Sequence, residues 1–430
     1  MVKCLLACLS LALAHASQWA VLVAGSNDYW NYRHQADMCH AYQLLIGQGL
    51  PQDHIIVLSA NDVAYNSLNP FPGHIYNSPG TNPPDVFPGC RVDYNGTDNN
   101  VTNFLAVLTG NETWVSNIGT GRVLQSGPND TVFLYYVDHG APGLIAFPDE
   151  LLFADEFMAA LEEMHAKGMY GKLVIFLEAC YGGSMFDGLL PSDIGIYAIT
   201  AANDTEPSWG IFCPPDAYVD GVNMYTPLGD MFSVHWMDIV ANSNLSTLTM
   251  GQLYTAVAAL TNESHVMEYG DMSVTDMPVG AFLGFVKSPG SSFFVDPGLT
   301  AQGWSAYDSK YQFLSYKYLV DPSVDNANLL IQEIDSRLAV TSIFTSLTSA
   351  LSPAFPERLI EEQLPVTDFD CLRAAIGAFQ DLCQPMDEFS LKYINVLKNA
   401  CEEGFEVAQV RQVLGEICQA GSKPDLSLWG

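Results

Sequence analysis

The sequence predicts an α/β domain, with a mainly parallel sheet flanked by helices, followed by an all-helical, disulfide-stapled tail. Three observations carry this reading. Short runs rich in Val, Ile, Leu, Phe and Tyr alternate with helical stretches from Trp19 to about residue 285. Beyond Pro322 the apolar period changes to three and four residues. Cys371, Cys383, Cys401 and Cys418 crowd this last part, as expected of a stapled unit; counting alone leaves their pairing open.

Taken in order, the chain begins with a processing signal. Lys3 supplies a positive start, Leu5 to Leu13 an apolar stretch, and Ala14-His15-Ala16 a small-x-small cleavage site, so 1–16 reads as a removed leader. No later run has membrane-spanning length, which predicts a soluble mature chain. Trp19 to Gly25, His54 to Ala60, Thr131 to Asp138, Lys172 to Ala179 and Ile194 to Ala201 are apolar and too short for independent helices, so they predict strands. His34 to Gly49 predicts a helix with Met38, Tyr42, Leu45 and Ile46 near one face. Asn66 to Asp98 contains many Pro, Gly and Asn residues and predicts a long loop or series of turns. Lys287 to Pro322, rich in Ser, Pro and Gly, suits a linker draped over a surface. Asn328 to Leu351, Asp368 to Leu382, Asp387 to Cys401 and Phe405 to Gln419 predict the helices of the tail.

Composition narrows function. Charged residues make up 15% and apolar residues 49%, a globular profile, but the formal charge is -32. Only 16 Lys and Arg are spread over the chain, which excludes a phosphate-binding surface for nucleic acid and disfavours an anionic membrane. An acidic excess maintains solubility, and it also suits work at low pH, where protonation relieves self-repulsion and weakens ion pairs between domains. Sequons at Asn95, Asn100, Asn111, Asn129, Asn203, Asn244 and Asn262 fit passage through the secretory pathway. The nine histidines show no spacing that closes a tetrahedral metal set, so no metal and no cofactor are assigned.

Two predicted strands end in residues suited to covalent catalysis: Asp138-His139-Gly140 and Glu178-Ala179-Cys180. In a parallel sheet the carboxyl ends of the strands form the ligand-binding edge, so both groups would face one crevice. A free thiol is little ionised at neutral pH; an imidazole beside it can take its proton and return one to a leaving amine. The N–H groups of Gly140 and Cys180 are candidates for an oxyanion hole. Taken singly, Cys180 would be a core thiol and His139 a structural histidine; the pair at successive strand ends points to a nucleophile and its base.

The segments Val23-Ala-Gly-Ser-Asn-Asp-Tyr-Trp-Asn31-Tyr-Arg33-His34-Gln-Ala-Asp37, Asp138-His139-Gly140, Glu178-Ala-Cys180 and Leu228-Gly-Asp230 resemble those of the legumain (asparaginyl endopeptidase) family. The resemblance runs from Trp19 through the C-terminal cysteines. It implies a caspase-like catalytic domain over 17–286, a linker or activation segment over 287–327, and a helical inhibitory prodomain over 328–430. It further implies a cysteine endopeptidase, made as a zymogen, that cuts after Asn and more slowly after Asp and activates itself in acid. Its substrates would be proteins and peptides with accessible Asn or Asp, and its own tail would be its inhibitor. The expected location is the secretory pathway, in a lysosome- or vacuole-like acidic compartment or outside the cell.

Carried over by position, Asn31 resembles the residue that orients the His139 imidazole. Arg33, His34, Glu178, Ser208 and Asp230 match the specificity pocket. A side-chain amide presents both an acceptor and donors, so Arg33 would donate to its carbonyl while Glu178 and Asp230 accept from its NH2. Asp138 matches a family aspartate that can become a succinimide. The family's pairing implies Cys371 with Cys401 and Cys383 with Cys418. Asp325, Asn326 and Asn328 are expected as exposed activation sites. Lys392 falls roughly where the family places a basic residue contacting the active site, and the tail is expected to be held mainly by Glu178 and Asp230. The chain departs from the family at Tyr181 and Gly182, where an acidic residue and a serine are usual, and at Pro207-Ser208, where a Ser-Ser pair is usual. Ala141-Pro142 resembles plant members that favour peptide ligation. A transpeptidase on the same site, or a non-catalytic binding homologue, are the alternatives.

Overall fold

The computed structural model describes residues 16–285 and 303–421. The leader through residue 15 and linker residues 286–302 lie outside the described residues.

The main sheet has seven strands: β1 (Gln18–Ala24), β2 (Ile55–Ser59), β3 (Tyr94–Asn95), β4 (Thr131–Val137), β5 (Lys172–Glu178), β6 (Ile196–Thr200) and β7 (Met267–Gly270). Their order is β7-β6-β5-β4-β1-β2-β3. All neighbours are parallel except β7, which runs antiparallel along β6. The period of two explains why the strands are apolar throughout. Ala20, Leu22 and Ala24 enter one core, against α1 (Tyr32–Gly47) and, later in the chain, Trp236 and Val257; Val21 and Val23 enter the other, with Phe104 and Phe157. Helices α2 (Val101–Leu108) and α3 (Ala154–Ala166) cover the second face; α4 (Met231–Asn242) and α5 (Met250–Leu260) cover the first.

The register places the chemistry. Val137 pairs with Glu178, so β4 and β5 end side by side and deliver His139 and Cys180 to one edge. The predicted strands and first helix agree with these elements to within two residues at each end, and β3 is a short strand at the end of the predicted loop. That loop is tied to α1 by a Cys39–Cys90 disulfide. Cys213 is a free, buried thiol.

The tail comprises α6 (Ser309–Val320), α7 (Val324–Leu351), α8 (Pro356–Glu361), α9 (Phe369–Leu382), α10 (Glu388–Leu391), α11 (Ile394–Glu402) and α12 (Val407–Gly421). Cys371–Cys401 and Cys383–Cys418 are bonded as the resemblance implied. Val340, Phe344, Leu372, Phe379, Leu397 and Leu414 form its core, which continues into Ala141, Leu144, Phe153 and Cys180. The tail is thus packed onto the strand ends.

Three expectations need correcting. The segment before Pro322 is not only a draped linker: Trp304–Ser305 pairs with Trp209–Ile211, and α6 follows, because Phe313 is buried against Tyr29. The helix expected over Asp387 to Cys401 is broken between Leu391 and Ile394. Asp325, Asn326 and Asn328 lie in the first turns of α7 and not in an open segment. Asp325 and Asn328 are exposed, but Asn326 is buried, its amide donating to Asp321 and its N–H to the capping Ser323 hydroxyl.

Candidate active site

Cys180 follows β5 directly and is fully buried beneath the tail. Its sulfur accepts the Ser208 N–H at 3.3 Å and lies 3.9 Å from the Ser208 hydroxyl. Burial pushes the thiol up to about 12, an effect that the Ser208 contacts only partly oppose, so in this covered state it is protonated. Gly140 is required by a close approach: a Cβ there would meet the Cys180 carbonyl oxygen at 2.4 Å. The chain leaving His139 therefore passes close to the Cys180 backbone, which brings the two candidate oxyanion donors together just past the ends of neighbouring strands.

His139 Nε2 lies 3.0 Å from Asn31 Oδ1, and its Nδ1 has no hydrogen-bond partner among the described residues. With Nε2–H donated to Asn31, the lone pair is on Nδ1, the tautomer a general base needs. Asn31 Oδ1 also accepts from Arg33 Nη1 at 3.3 Å, which links the base to the pocket.

That pocket is fully buried. Arg33 Nε donates to Asp230 Oδ1 at 2.8 Å, and Ser233 donates to Glu178 Oε2 through its N–H at 3.2 Å and hydroxyl at 3.0 Å. Three polar atoms here have no hydrogen-bond partner among the described residues: Arg33 Nη2, Glu178 Oε1 and Asp230 Oδ2. Burial, and then the Asp230 charge, push Glu178 up to about 8. Glu178 therefore holds its proton while the pocket is empty and accepts from a substrate amide on losing it, and the Arg33–Asp230 pair is compensated. His34 bridges to the dyad. Its Nδ1 is 2.6 Å from the Ser26 hydroxyl and 3.3 Å from Asp138, and its Nε2 is 3.6 Å from Asp230. Burial and the Arg33 charge hold His34 well below the usual histidine range. Burial raises Asp138 to about 7. His34, Asp138 and His139 bring ligand-type atoms within 4.8 Å of one another, a grouping the sequence spacing did not reveal. Ser26 and Asn31 each take a ring nitrogen of this group, while Asp138 Oδ1 and His139 Nδ1 have no hydrogen-bond partner among the described residues.

Two contacts that the sequence reading missed cover the site, Glu388 from the tail and Tyr307 from the segment just before it. Glu388 Oε1 accepts from Trp30 Nε1 at 2.7 Å and from the Asn31 amide, and lies 3.5 Å from His139 Nε2. Tyr307 is buried beside Cys180 and donates its hydroxyl to the Gly140 carbonyl at 2.6 Å. Burial alone would raise the Glu388 carboxyl; His139, Asn31 and Trp30 outweigh it and hold it down at about 2. The expectation that Glu178 and Asp230 grip the tail is thus corrected: their partners are Arg33, Ser233 and Asp37, within the catalytic domain. Lys392 is correspondingly placed over the Phe389 ring, 5.9 Å from its centroid. Only the capping motif around Asp387 hinted at a helix start here, and nothing in the sequence marked Glu388 as facing an imidazole.

Sequence comparison identifies the family. The Peptidase C13 family model matches residues 18–285, and a legumain prodomain model matches 331–418. The chain belongs to the Peptidase C13 family. A vacuolar-processing enzyme delta-isozyme of Arabidopsis thaliana is 37% identical, over 94% of this chain and 91% of its own length. A human legumain is 36% identical, over 93% and 92%. Among solved structures, caspase-1 of Spodoptera frugiperda overlays with a TM-score of 0.35 at 9% identity, covering 59% of this chain and 86% of that one. The family membership rests on the sequence matches and not on that overlay. This C13 peptidase is a cysteine endopeptidase that carries its own legumain-type prodomain. Among the described residues no helix is long and apolar enough to cross a membrane.

Proposed function

We propose that this peptidase cleaves on the carboxyl side of asparagine, and of aspartate in acid, with Cys180 as nucleophile and His139 as base. The observation that carries the specificity is the set of unpartnered buried atoms, one donor on Arg33 and one acceptor each on Glu178 and Asp230. A carboxamide needs one donor for its oxygen and two acceptors for its NH2, so it satisfies all three. An aliphatic side chain would leave them buried and unpaired, at a cost of about 1–3 kcal/mol each.

In the reaction, His139 Nδ1 takes the Cys180 proton as the sulfur attacks the scissile carbonyl carbon. The carbonyl electron pair moves to oxygen, where the Gly140 and Cys180 N–H groups would hold it. Collapse breaks the C–N bond, and the leaving amine takes the proton from His139. Water, deprotonated by the same imidazole, then splits the thioester.

A peptide amine in place of water would give ligation instead. Favouring this second reading, Cys180 belongs to an apolar cluster with Ala141, Leu144 and Phe153, and part of that cluster stays on the catalytic domain when the tail leaves. Mass spectrometry of an Asn-containing peptide, with and without an added amine nucleophile, separates hydrolysis from ligation, and the P-side residue found at the new C-terminus tests the specificity.

The tail, together with the segment just before it, would inhibit by placing Glu388 against the base and Tyr307 against the nucleophile. Arg337 ties the two plugs together: it pairs with Asp308 at 2.5 Å, donates to the Tyr307 carbonyl at 3.1 Å and stacks 4.4 Å from the Phe389 ring. The Glu388 carboxyl is held below its ordinary value of 4.5, so its contribution to docking is full above that value and declines as pH falls toward about 2. Acid therefore loosens the tail, which suits an acidic compartment of the secretory pathway.

A further inference from the structure

Asp230 can read a substrate amide only if its short strand, Gly229–Asp230, is held at a fixed depth. One edge of that strand pairs with Trp209–Ile211. What holds it from behind is a chain of buried polar groups outside the site described above. The Asp230 N–H donates to Asp37 Oδ2 at 2.9 Å. Asn77 donates through its side-chain amide to Asp37 Oδ1 at 2.7 Å and to the Leu228 carbonyl at 2.8 Å. Its own carbonyl oxygen lies 2.6 Å from His40 Nδ1. Asp37, Asn77 and His40 are all buried. Gly229 leaves room for this arrangement: a Cβ there would stand 2.9 Å from the Asn77 amide nitrogen and 3.1 Å from Asp37 Oδ1.

Asn77 comes from the long segment between β2 and β3, whose length is otherwise unexplained by the sheet. The segment is anchored at its far end to α1 by Cys39–Cys90, and α1 also supplies Arg33 and Asp37. We propose that Asp37 and Asn77 are positioning residues that set the depth of Asp230 in the specificity pocket, and that the stapled loop exists to deliver Asn77 to this place. The proposal deepens the reading of the pocket as an asparagine site and rests on it. Electrostatics agree in direction: burial, and then the nearby Asp230 charge, push Asp37 well above the usual carboxylate range, so the two carboxyls are tightly linked.

The test uses full-length zymogen, acid-activated, as wild type, Asn77→Ala and Asp37→Asn. Asp37→Asn keeps the shape but turns one acceptor into a donor facing another donor. Three readouts are taken: kcat and KM for a peptide with a single Asn, the rate at which iodoacetamide alkylates Cys180, and the melting temperature. Iodoacetamide does not need the specificity pocket, so it reports the dyad alone. Both variants are expected to raise KM about tenfold, the scale of a lost buried hydrogen-bond partner, with kcat and alkylation within about threefold of wild type. Unchanged KM in either variant overturns the proposal. So does a parallel fall in alkylation, or failure of both variants to accumulate as folded zymogen, because those results indicate a merely structural role. If the wild-type enzyme does not cut after Asn, the pocket reading itself fails and the proposal falls with it; if it does and the variants keep their KM, only the positioning role is lost.

Discussion

Asn31 joins the base to the pocket: its Oδ1 stands 3.0 Å from His139 Nε2 and 3.3 Å from Arg33 Nη1, while its amide nitrogen is held by the tail's Glu388. One side chain thus contacts the proposed base, the proposed specificity arginine and the tail together. Docking the tail at Asn31 and His139 addresses both halves of the machinery at once.

Replacing Glu388 by Gln removes the charge opposite His139 but keeps the shape. Charge-assisted hydrogen bonds contribute about 1.5–3 kcal/mol each, so Glu388→Gln is expected to loosen the tail about tenfold or more and to make autoprocessing less dependent on acid. The rate of processing at pH 4.5 to 7, read on gels, checks this; an unchanged rate in that range, where the wild-type contact is at full strength, counts against the Glu388 contact as the inhibitory one.

Tyr307→Phe removes the bond to the Gly140 carbonyl and leaves the ring in place. The zymogen should then alkylate at Cys180 several-fold faster at neutral pH, and Arg337→Ala, which releases both plugs, faster still. Timed iodoacetamide labelling followed by mass spectrometry measures both. Equal rates in all three proteins would mean that another part of the tail shields the thiol.

The catalytic domain should be more stable in acid than at neutral pH. Burial raises Glu178 to about 8 and Asp138 to about 7, from ordinary values of 4.5 and 3.8. Groups raised in this way contribute stability that is fully present below about pH 4 and lost as pH rises through 7 to 8, on the order of a few kcal/mol together. Melting curves of the uncleaved Cys180→Ala zymogen at pH 4.5 and 8 should differ in that direction, and Glu178→Gln should flatten the difference.

Cutting at Asn326 or Asn328 requires the start of α7 to unwind, since a protease needs an extended strand in its cleft. Ser323→Ala, which removes the cap on Asn326, costs such a helix about 1 kcal/mol and should speed processing about fivefold at pH 4. Replacing both Asn326 and Asn328 by Gln should slow it; unchanged processing in that double variant would place the cut elsewhere.

Much of the site was legible because its residues are local to strand ends and to one helix. Cys180 and His139 each stand just past an apolar run, and Arg33 and His34 open α1. The unpartnered atoms on Arg33, Glu178 and Asp230 could not be read from order along the chain, since they depend on which oxygens Ser233 and Arg33 already occupy. The tail contacts were hidden for a related reason. Glu388 is one acid among 48 Asp and Glu, and only folding brings it to His139. Helix α6 was misread as linker because its amphipathic pattern is weak, and its burial depends on Tyr29, far away in sequence.

The central claim is that Cys180 and His139 act on a bond chosen by Arg33, Glu178 and Asp230. The most direct measurement presents acid-activated enzyme with peptides identical except at the residue before the scissile bond, at pH 4.5 and 7, and identifies products by mass. The account predicts cleavage after Asn at both values, after Asp only at the lower, after no aliphatic residue at either, and none with Cys180→Ala. Cleavage after an aliphatic or basic residue, or equal cleavage after Asp and Asn at pH 7, would contradict it.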